Sequence, residues 1–337
     1  MKTVVLLTSI GENISAYYDA CKAFGEDNVF TLSGITGIDK PLPSIYKHRW
    51  YVSKNKQTSL AAQLAGIIDK FRIDLVIPFS NDDLEVLQAC KEILHYDSIL
   101  EKCKFAIPDY KLINHFKDKV SAAWFWDRYF GKGGYNFDLT EHFGLPVLSE
   151  AKVLDRSKDY YIADPSADRL RMPTPHQRCY GGKCQHKAIV LENQLLKEYP
   201  KIGYQFSVDM LYNEGYLIYC VPREYDRNKN EWRALPIWQD RIKEQFGYIQ
   251  GFEGFVNMQF GVCAINVAYL IDVTLFGSSG LGLSNKMLPE DMNLFAMYEN
   301  KLQGIKFDKP TLLDNRVSFL NVAVETREQS IDVTGIA

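Results

Sequence analysis

The stretch YLIDVTLFGSSG, residues 269–280, decides the fold of this chain. It is an apolar run typical of a buried strand, and a glycine–serine turn follows it directly. One acid, Asp272, stands among the apolar residues of the run. That acid either holds a metal ion or is an ordinary polar residue at the edge of a strand. The choice between the two depends on what the rest of the chain builds around it.

The composition is typical of a multidomain globular protein. The chain has 337 residues, of which 46% are hydrophobic, so it can bury a substantial core and divide into two or three units. The formal net charge of -3 gives no basic field that would attract nucleic acid or a membrane surface. No apolar stretch reaches the roughly 18 residues of a membrane span, and the first apolar run is too short for a signal peptide. We therefore expect a cytoplasmic protein that binds neither nucleic acid nor membranes.

The seven cysteines are odd in number and scattered along the chain, unlike a disulfide framework. They are interpreted as reduced thiols. Only the stretch CYGGKCQH, residues 179–186, brings two cysteines and a histidine close together. Because a structural zinc site usually needs four ligands in two paired clusters, a loop that happens to hold thiols is favoured here over a metal site.

The first hundred residues alternate between strand and helix patterns. Predicted strands cover residues 3–9, 28–34 and 74–80, and predicted helices cover residues 13–25, 59–72 and 82–96. Short links between alternating strands and helices indicate a parallel sheet that is covered on both faces. The sequence therefore predicts a small doubly wound domain over residues 1–110.

The second half of the chain is dominated by strand patterns and indicates antiparallel sheet. Strand-like runs cover residues 159–165, 187–193, 204–212, 215–224, 254–262 and 268–276, with helices expected around 238–250 and 289–303. Residues 111–128 are predicted to form a helix or helix pair with buried aromatic residues. Residues 164–187 are polar and aperiodic, and a loop of that length is usually functional or disordered. The resulting division is 1–110, 111–200 with the loop 164–187, and 201–337.

The order of these parts resembles the ATP-grasp superfamily. The stretches that carry the resemblance are DLVIPFSNDDLEVL (74–87), DK (118–119), GLPV (144–147), KEYPKIGYQFSVDML (197–211), FVNMQFGV (255–262) and YLIDVTLF (269–276). The likeness extends over about residues 1–285 and is greatest to the branch built like the carbamoyl phosphate synthetase large subunit and biotin carboxylase. It implies an α/β part followed by an α+β part: an N-terminal parallel pre-ATP-grasp domain, then an ATP-grasp fold of two antiparallel-sheet subdomains.

The resemblance also implies a reaction. ATP-grasp enzymes use ATP and Mg²⁺ to phosphorylate a carboxylate, and an amine then attacks the acyl phosphate. The chain is therefore expected to be a carboxylate–amine ligase acting on a small-molecule carboxylate and amine. The alternative is a catalytically degenerate scaffold that binds a nucleotide, a metabolite or a partner protein. Dimers are common in this family, so a homodimer is the assembly that the resemblance suggests.

Gln259 and Asp272 match the two metal-ligand positions of the family, and Asn257 keeps the first amide of the motif. Gln259 and Asp272 are thirteen positions apart, which allows a strand, a turn and a return strand that brings both side chains to one face. Carboxylate and amide oxygens suit Mg²⁺. Thr274 replaces the family's asparagine, however, and Phe276 replaces its arginine. The alternative is that Asp272 ends a strand and Gln259 bonds to a neighbouring backbone group.

The resemblance assigns Arg223 and Asp272 catalytic roles. Arg223, in VPRE, matches an arginine that lies on the sheet near the phosphates or the substrate. A structural salt bridge is the alternative for Arg223, and both interpretations stay open on the sequence alone.

Adenosine recognition is assigned by the resemblance to a hinge region. Glu198 matches the acid that faces the adenine amino group, and Tyr199 supplies hinge backbone. Gln205 replaces the acid that accepts from the ribose hydroxyls, and an amide can also bond a hydroxyl. Lys119 matches the lysine of the family's DK pair. A solvated surface acid and a surface lysine are the alternatives for Glu198 and Lys119.

The phosphate-binding loop departs most from the family. Asp164 stands where the family has a lysine, and a carboxylate there would repel a triphosphate. Two compensations are open: Arg169 and Arg171 supply positive charge, or the later stretch RCYGGKCQHK (178–187) folds back so that Lys183 and its preceding glycines form the clamp.

Overall fold

The chain divides into two units, each assembled from segments that are separated in sequence. The first unit comprises Met1–Ile113, Val208–Asn257 and Thr274–Ala337, and the second comprises Asn114–Ser207 and Met258–Val273. The computed structural model describes residues 2–11, 13–33, 42–51, 59–95, 103–116, 149–152, 159–162, 202–226, 229, 231–263, 268–313 and 316–318. Most of 111–200 lies outside these ranges, so the three predicted domain boundaries stay a prediction.

A five-stranded parallel sheet forms the N-terminal part of the first unit. Its strands are β1 (Val5–Thr8), β2 (Val29–Ser33), β3 (His48–Tyr51), β4 (Leu75–Pro78) and β5 (Lys104–Phe105). The strand order is β3-β2-β1-β4-β5, and all four pairings are parallel. Strands β1 and β4 are buried along their whole length, as expected for central strands that helices cover on both faces. The predicted doubly wound domain is confirmed.

Four α-helices accompany this sheet in the described residues, and capping side chains mark the starts of the first two. They are α1 (Ile14–Phe24), α2 (Leu60–Phe71), α3 (Asn81–His95) and α4 (Tyr110–Phe116). Asn13 accepts a hydrogen bond from the Ala16 amide, and Ser59 accepts one from the Ala62 amide. Each bond satisfies an amide in the first turn that has no partner within the helix, which fixes where α1 and α2 start.

In the described ranges, the remaining strands and α-helices form two further sheets and three helices. They are β6 (Ser149–Lys152), β7 (Asp159–Ile162), β8 (Ile202–Asn213), β9 (Tyr216–Asp226), β10 (Glu231–Ala234), α5 (Pro236–Phe246), β11 (Gly254–Cys263), β12 (Ala268–Thr274), α6 (Leu281–Asn285), α7 (Leu294–Leu302) and β13 (Arg316–Ser318). Strands β6 and β7 pair antiparallel. The six-stranded sheet has the order β12-β11-β8-β9-β10-β13, and its β9–β10 and β10–β13 pairings are antiparallel. The predicted strand 187–193 lies outside the described residues.

A shared hydrophobic core joins the N-terminal and C-terminal segments of the first unit. The ring of Phe295 in α7 lies 6.3 Å from that of Phe24 in α1 and 5.1 Å from that of Phe255 in β11. Tyr298, one turn after Phe295, makes an edge contact with Phe255 at 6.0 Å. These aromatic contacts hold the parallel sheet against the later segments, so their loops have fixed positions within the unit. In the second unit, Phe206 and Phe260 stack at 5.0 Å.

Cys21, Cys90, Cys103 and Cys220 are free thiols, as predicted. Cys21, Cys90 and Cys220 each have a pKa that burial raises to about 12, and burial also raises the pKa of Cys103. Thiols in this state are unreactive at neutral pH. The stretch 179–186 lies outside the described residues. No helix in the described part of the chain has the length and apolar character that crossing a bilayer requires.

A fully buried carboxylate lies at the end of the central strand β1. The side chain of Asp83, in the first turn of α3, accepts hydrogen bonds from Thr8 Oγ1 at 2.8 Å and from Ser9 Oγ at 2.7 Å. Burial raises the pKa of Asp83 from 3.8 to about 6, and the two hydroxyl donors only partly offset this effect. The negative charge of Asp83 therefore opposes folding at neutral pH.

We expect Asp83→Asn to remove a pH dependence of stability. Because the pKa is higher in the folded state than in the unfolded state, wild-type stability falls as the pH rises from about 4 to about 6, by about 3 kcal/mol in total. An asparagine carries no charge, so the free energy of unfolding of the variant should rise relative to wild type across this range. Urea denaturation at pH 4, 5, 6 and 7 measures the difference. Asp82→Asn, at the exposed neighbouring acid, is the matched control, and an equal pH dependence in the Asp83 variant and wild type would contradict the assignment.

Candidate functional site

The centre of the candidate site is the carboxylate of Asp209 on β8, which is 2% exposed. Oδ1 accepts hydrogen bonds from Asn257 Nδ2 and from Ser278 Oγ, both at 2.7 Å. Oδ2 accepts from Ser284 Oγ at 2.5 Å and from the guanidinium of Arg223. Burial by itself would raise the pKa of Asp209, but the charge of Arg223 and the three side-chain hydrogen bonds outweigh it and hold the pKa below its ordinary value. Asp209 is therefore a fixed anion.

The positive charge that balances Asp209 comes from Arg223 on β9, which is also buried. Arg223 Nη2 lies 3.0 Å from Asp209 Oδ2, and Nε bonds both to that oxygen at 3.2 Å and to Ser284 Oγ at 2.8 Å. The guanidinium carbon lies 4.6 Å from the ring centroid of Trp232 on β10. The ion pair, the hydroxyl and the aromatic face together hold the guanidinium in one position.

This network holds the turn Gly277–Gly280, which lies shortly after the end of β12. Ser278 bonds to Asp209 through its hydroxyl, and its carbonyl oxygen accepts from Asn13 Nδ2 at 3.3 Å. The amide of Gly277 donates to the carbonyl of Pro78, at the end of β4, at 2.9 Å. The turn is therefore fixed both by the buried ion pair and by the carboxyl ends of the parallel strands. In open α/β sheets, ligands bind outside these strand ends.

Gly280 allows the guanidinium of Arg223 to reach the turn. A Cβ atom at position 280 would lie 1.9 Å from Arg223 Nη2, far inside any van der Waals contact. The guanidinium cannot move aside without leaving Asp209, so the close approach requires glycine. Gly277 is similarly close to a neighbour, because a Cβ atom there would lie 2.7 Å from the ring of Phe79.

The two predicted metal ligands lie on neighbouring strands of the six-stranded sheet. Gln259 is on β11 and its side chain is exposed, and Asp272 is on β12, where the structure describes the backbone. Among the described residues, no group of three or more His, Cys, Asp and Glu side chains forms a candidate metal centre. The metal-binding role of Gln259 and Asp272 stays a prediction.

Most of the predicted nucleotide contacts lie outside the described residues. These are Lys119, Lys183, Glu198 and Tyr199, together with the altered phosphate loop around Asp164. Gln205 is in β8, where the structure describes the backbone. For Arg223 the structure gives the ion pair that was the alternative in the sequence, and its role at a substrate stays a prediction.

Sequence reasoning did not identify the residue that organises the site. Asp209 is the last residue of the SVD motif that contributed to the resemblance, so the motif itself was the available signal. Ser278 stands in the glycine–serine turn that follows β12, but its role depends on a contact across 69 positions of the chain. Ser284 lies within the short helix α6, and no pattern in the sequence distinguishes it.

We expect Asp209→Asn to destabilise the first unit strongly. The variant leaves the guanidinium of Arg223 buried without a counter-charge, and breaking a buried ion pair in this way costs about 3 to 5 kcal/mol. Ser279→Ala, at the exposed neighbour of Ser278, should change stability by less than about 0.5 kcal/mol. Urea denaturation compares the two variants with wild type. Equal stability of all three proteins would show that the network does not support the fold.

We also expect Gly280→Ala to displace Arg223. A methyl group cannot share the space of the guanidinium, so either the ion pair breaks or the turn shifts, and a loss of about 1 to 3 kcal/mol follows from overpacking alone. Combining it with Arg223→Met, which removes the guanidinium, should make the alanine substitution much less costly. A double-mutant cycle of unfolding free energies tests this coupling, and additive effects of the two substitutions would refute it.

Comparisons with known proteins place this geometry in a fold. No protein-family model and no curated protein matches the chain. Solved structures do match. They include the biotin carboxylase domain of Hydrogenobacter thermophilus 2-oxoglutarate carboxylase (12% identity, TM-score 0.53, 94% of this chain and 73% of that chain). L-amino acid ligase from Bacillus licheniformis is 11% identical (TM-score 0.52, 92% of this chain and 75% of that chain).

A third match is N5-carboxyaminoimidazole synthase from Aspergillus clavatus, at 10% identity and a TM-score of 0.55, covering 93% of this chain and 80% of that one. All three are ATP-grasp proteins, and the parallel sheet followed by antiparallel sheet found here is consistent with that fold. At such low identity the likeness concerns architecture. The chain has the ATP-grasp fold, with a parallel pre-ATP-grasp domain at its N-terminus.

Proposed function

We propose that the chain is an ATP-dependent carboxylate–amine ligase. The reaction has two steps. A substrate carboxylate oxygen attacks the γ-phosphorus of ATP and ADP leaves, and an amine then attacks the acyl carbon while inorganic phosphate leaves and the amine loses a proton. The observation that carries the proposal is the turn Gly277–Gly280, which the Asp209 network, the end of β4 and the N-cap residue of α1 hold in place.

A fixed turn suits this chemistry because phosphoryl transfer depends chiefly on positioning. The reacting oxygens must be held in line, and the acyl phosphate must be protected from water. A buried ion pair contributes little net stability compared with apolar packing. Its presence beside the turn therefore supports a role in holding backbone groups where a substrate would lie.

The nucleotide and metal are proposed from the similar structures and from donor chemistry. One of the similar structures is a complex with MgADP and bicarbonate, and another is a complex with ADP and 5-aminoimidazole ribonucleotide. Here the exposed amide of Gln259 and the carboxylate of Asp272 offer oxygens of the kind that Mg²⁺ prefers, on adjacent strands. When bound, Mg²⁺ would neutralise charge on the ATP phosphates. Asp209 is not a candidate ligand, because Arg223 and three other side chains already occupy its oxygens.

The adenosine contacts of the proposal are Glu198, Tyr199 and Gln205, with Lys119 and Lys183 facing the phosphates. They rest on the sequence resemblance. The acceptors would be a small-molecule carboxylate and amine in the cytoplasm. A homodimer is also proposed, because one similar structure is described as a domain dimer.

A degenerate scaffold that binds a nucleotide without turning it over is the second candidate. Two observations favour it. Arg223 is committed to Asp209 and buried, so it offers no free guanidinium to a substrate. Thr274 and Phe276 also stand where the family has asparagine and arginine. Both candidates predict nucleotide binding, and they differ in whether ADP is released.

We expect ATP and ADP to bind the purified full chain, and more tightly with Mg²⁺ than without it, as measured by calorimetry. Asp272→Asn should weaken the Mg²⁺-dependent part of ATP binding by about 10- to 100-fold or more, the range seen when groups that support metal ligands are lost. Asp291→Asn, at an exposed acid on the loop before α7, is the matched control and should bind as wild type does.

ADP release in the presence of mixed carboxylates and amines then separates the two candidates. Release that requires both partners supports the ligase, and nucleotide binding without release supports the scaffold. If neither ATP nor ADP binds in the presence of Mg²⁺, both candidates are wrong. Equal Mg²⁺ dependence in Asp272→Asn and wild type would remove Asp272 from the metal site.

A further inference from the structure

A cavity in the first unit is lined by none of the residues of the turn Gly277–Gly280. It has a volume of about 660 Å³ and lies between the start of β9 and the segment that follows α7. None of the residues that line it belongs to the Asp209 network. It is therefore distinct from the site at the turn.

One wall of this cavity is apolar. Leu217 and Ile218 on β9 form part of it and are each 9% exposed, and Phe307 also lines the cavity and packs against the hydrophobic core. Ile305 on the rim is 51% exposed. An apolar ligand that covered these side chains would remove hydrophobic surface from water.

Residues 304–309, the segment that follows α7 and forms the other wall, are held at both ends. At the C-terminus of α7, the Ile305 amide donates to the carbonyl of Asn300 at 2.8 Å, and the Gly304 amide donates to that of Lys301 at 3.2 Å. Gly304 has a φ of 69°, so these bonds form the left-handed glycine cap that often ends helices. The cap satisfies carbonyl groups of the last turn, which would otherwise present negative partial charge near the cavity.

The far end of the segment is tied to the strand. Tyr219 Oη donates a hydrogen bond to the carbonyl of Pro310 at 2.5 Å. Because both ends are fixed, the cavity exists without a ligand and needs little reorganisation to accept one.

The charged groups around the cavity are mostly basic. Lys301, Lys306 and Lys309 line it, against one acid, Asp308. All three lysines are exposed, and within the described residues no ion pair joins any of them to a carboxylate. A chain with an overall charge of -3 thus places a local excess of positive charge beside an apolar wall.

We propose that this cavity binds a small amphipathic anion. The apolar body of the ligand contacts Leu217, Ile218 and Phe307, and its carboxylate or phosphate group faces the three lysines. The site is separate from the proposed ligase site and does not depend on that function. The combination of a fixed apolar wall with unpaired lysines is what carries the proposal.

The test uses four probes with the full chain, measured by calorimetry at low salt. 2-Naphthoate and 1-naphthyl phosphate each offer an aromatic body with an anion, 2-naphthamide offers a similar body without charge, and inorganic phosphate offers charge without a body. We expect at least one of the two aromatic anions to bind at least tenfold more tightly than 2-naphthamide and inorganic phosphate. The tighter of the two anions identifies the preferred head group. The affinity should fall as salt is added, because exposed charges are screened.

Two lysine variants with the same change in net charge locate the site. Replacement of Lys301, Lys306 and Lys309 by glutamine should weaken the aromatic anion at least tenfold. Replacement of Lys70, Lys91 and Lys111, exposed lysines on α2, α3 and α4, is the matched control and should leave the affinity within about twofold of wild type. Ile305→Asp places a negative charge at an exposed rim position and should abolish binding while the melting temperature stays unchanged.

Three results would overturn the proposal. The first is no binding of either aromatic anion at millimolar concentration. The second is equal loss of affinity in the two triple variants, which would mean that only net charge matters. The third is 2-naphthamide or inorganic phosphate binding as tightly as the aromatic anions, since one half of the proposed recognition would then be absent.

Discussion

The ion pair between Asp209 and Arg223 is the interaction on which the position of the turn Gly277–Gly280 depends. Two charges are buried together, and burial of either one alone would cost several kcal/mol. Each remaining hydrogen-bonding position of the pair therefore has to be filled, and Ser278, Ser284 and Asn257 fill those of Asp209. In this way one electrostatic requirement on β8 determines the position of a turn that lies beside the end of β4 and the start of α1. The fold positions the strands, and the ion pair fixes where the turn lies relative to them.

The secondary structure was largely predictable, because local rules specify it. Asn13 and Ser59 mark the starts of α1 and α2, and Gly25 ends α1, so the predicted limits of these two helices agree with the structure to within one residue. Strands β3 and β5 were not predicted. They are the two edges of the parallel sheet, and they lack the continuous apolar run that marks the buried strands β1 and β4.

The site was predictable only where it coincided with a motif. Arg223 and Asp209 both lie in stretches that resemble the ATP-grasp family, yet neither stretch indicates that the two side chains pair with each other. That information lies in the hairpin of β8 and β9 and in contacts of Asp209 with residues 48, 69 and 75 positions away. Interactions across such separations have no periodic signature in one sequence. The contacts of the buried acid Asp83 were equally unpredictable. The spacing of apolar residues shows that α3 is amphipathic, but it does not show that the first turn of α3 meets the end of β1.

The close approach of Gly280 to Arg223 has a consequence for how this sequence can drift. The space beside the turn holds either a guanidinium from β9 or a side chain at position 280, and it cannot hold both. Related chains should therefore separate into two groups: those with arginine at 223 and glycine at 280, and those in which both positions have changed. An intermediate with only position 280 altered would be selected against, whereas loss of the arginine together with the charge of Asp209 would release the constraint on glycine. We therefore expect positions 223 and 280 to change together, although they lie on different elements and 57 residues apart.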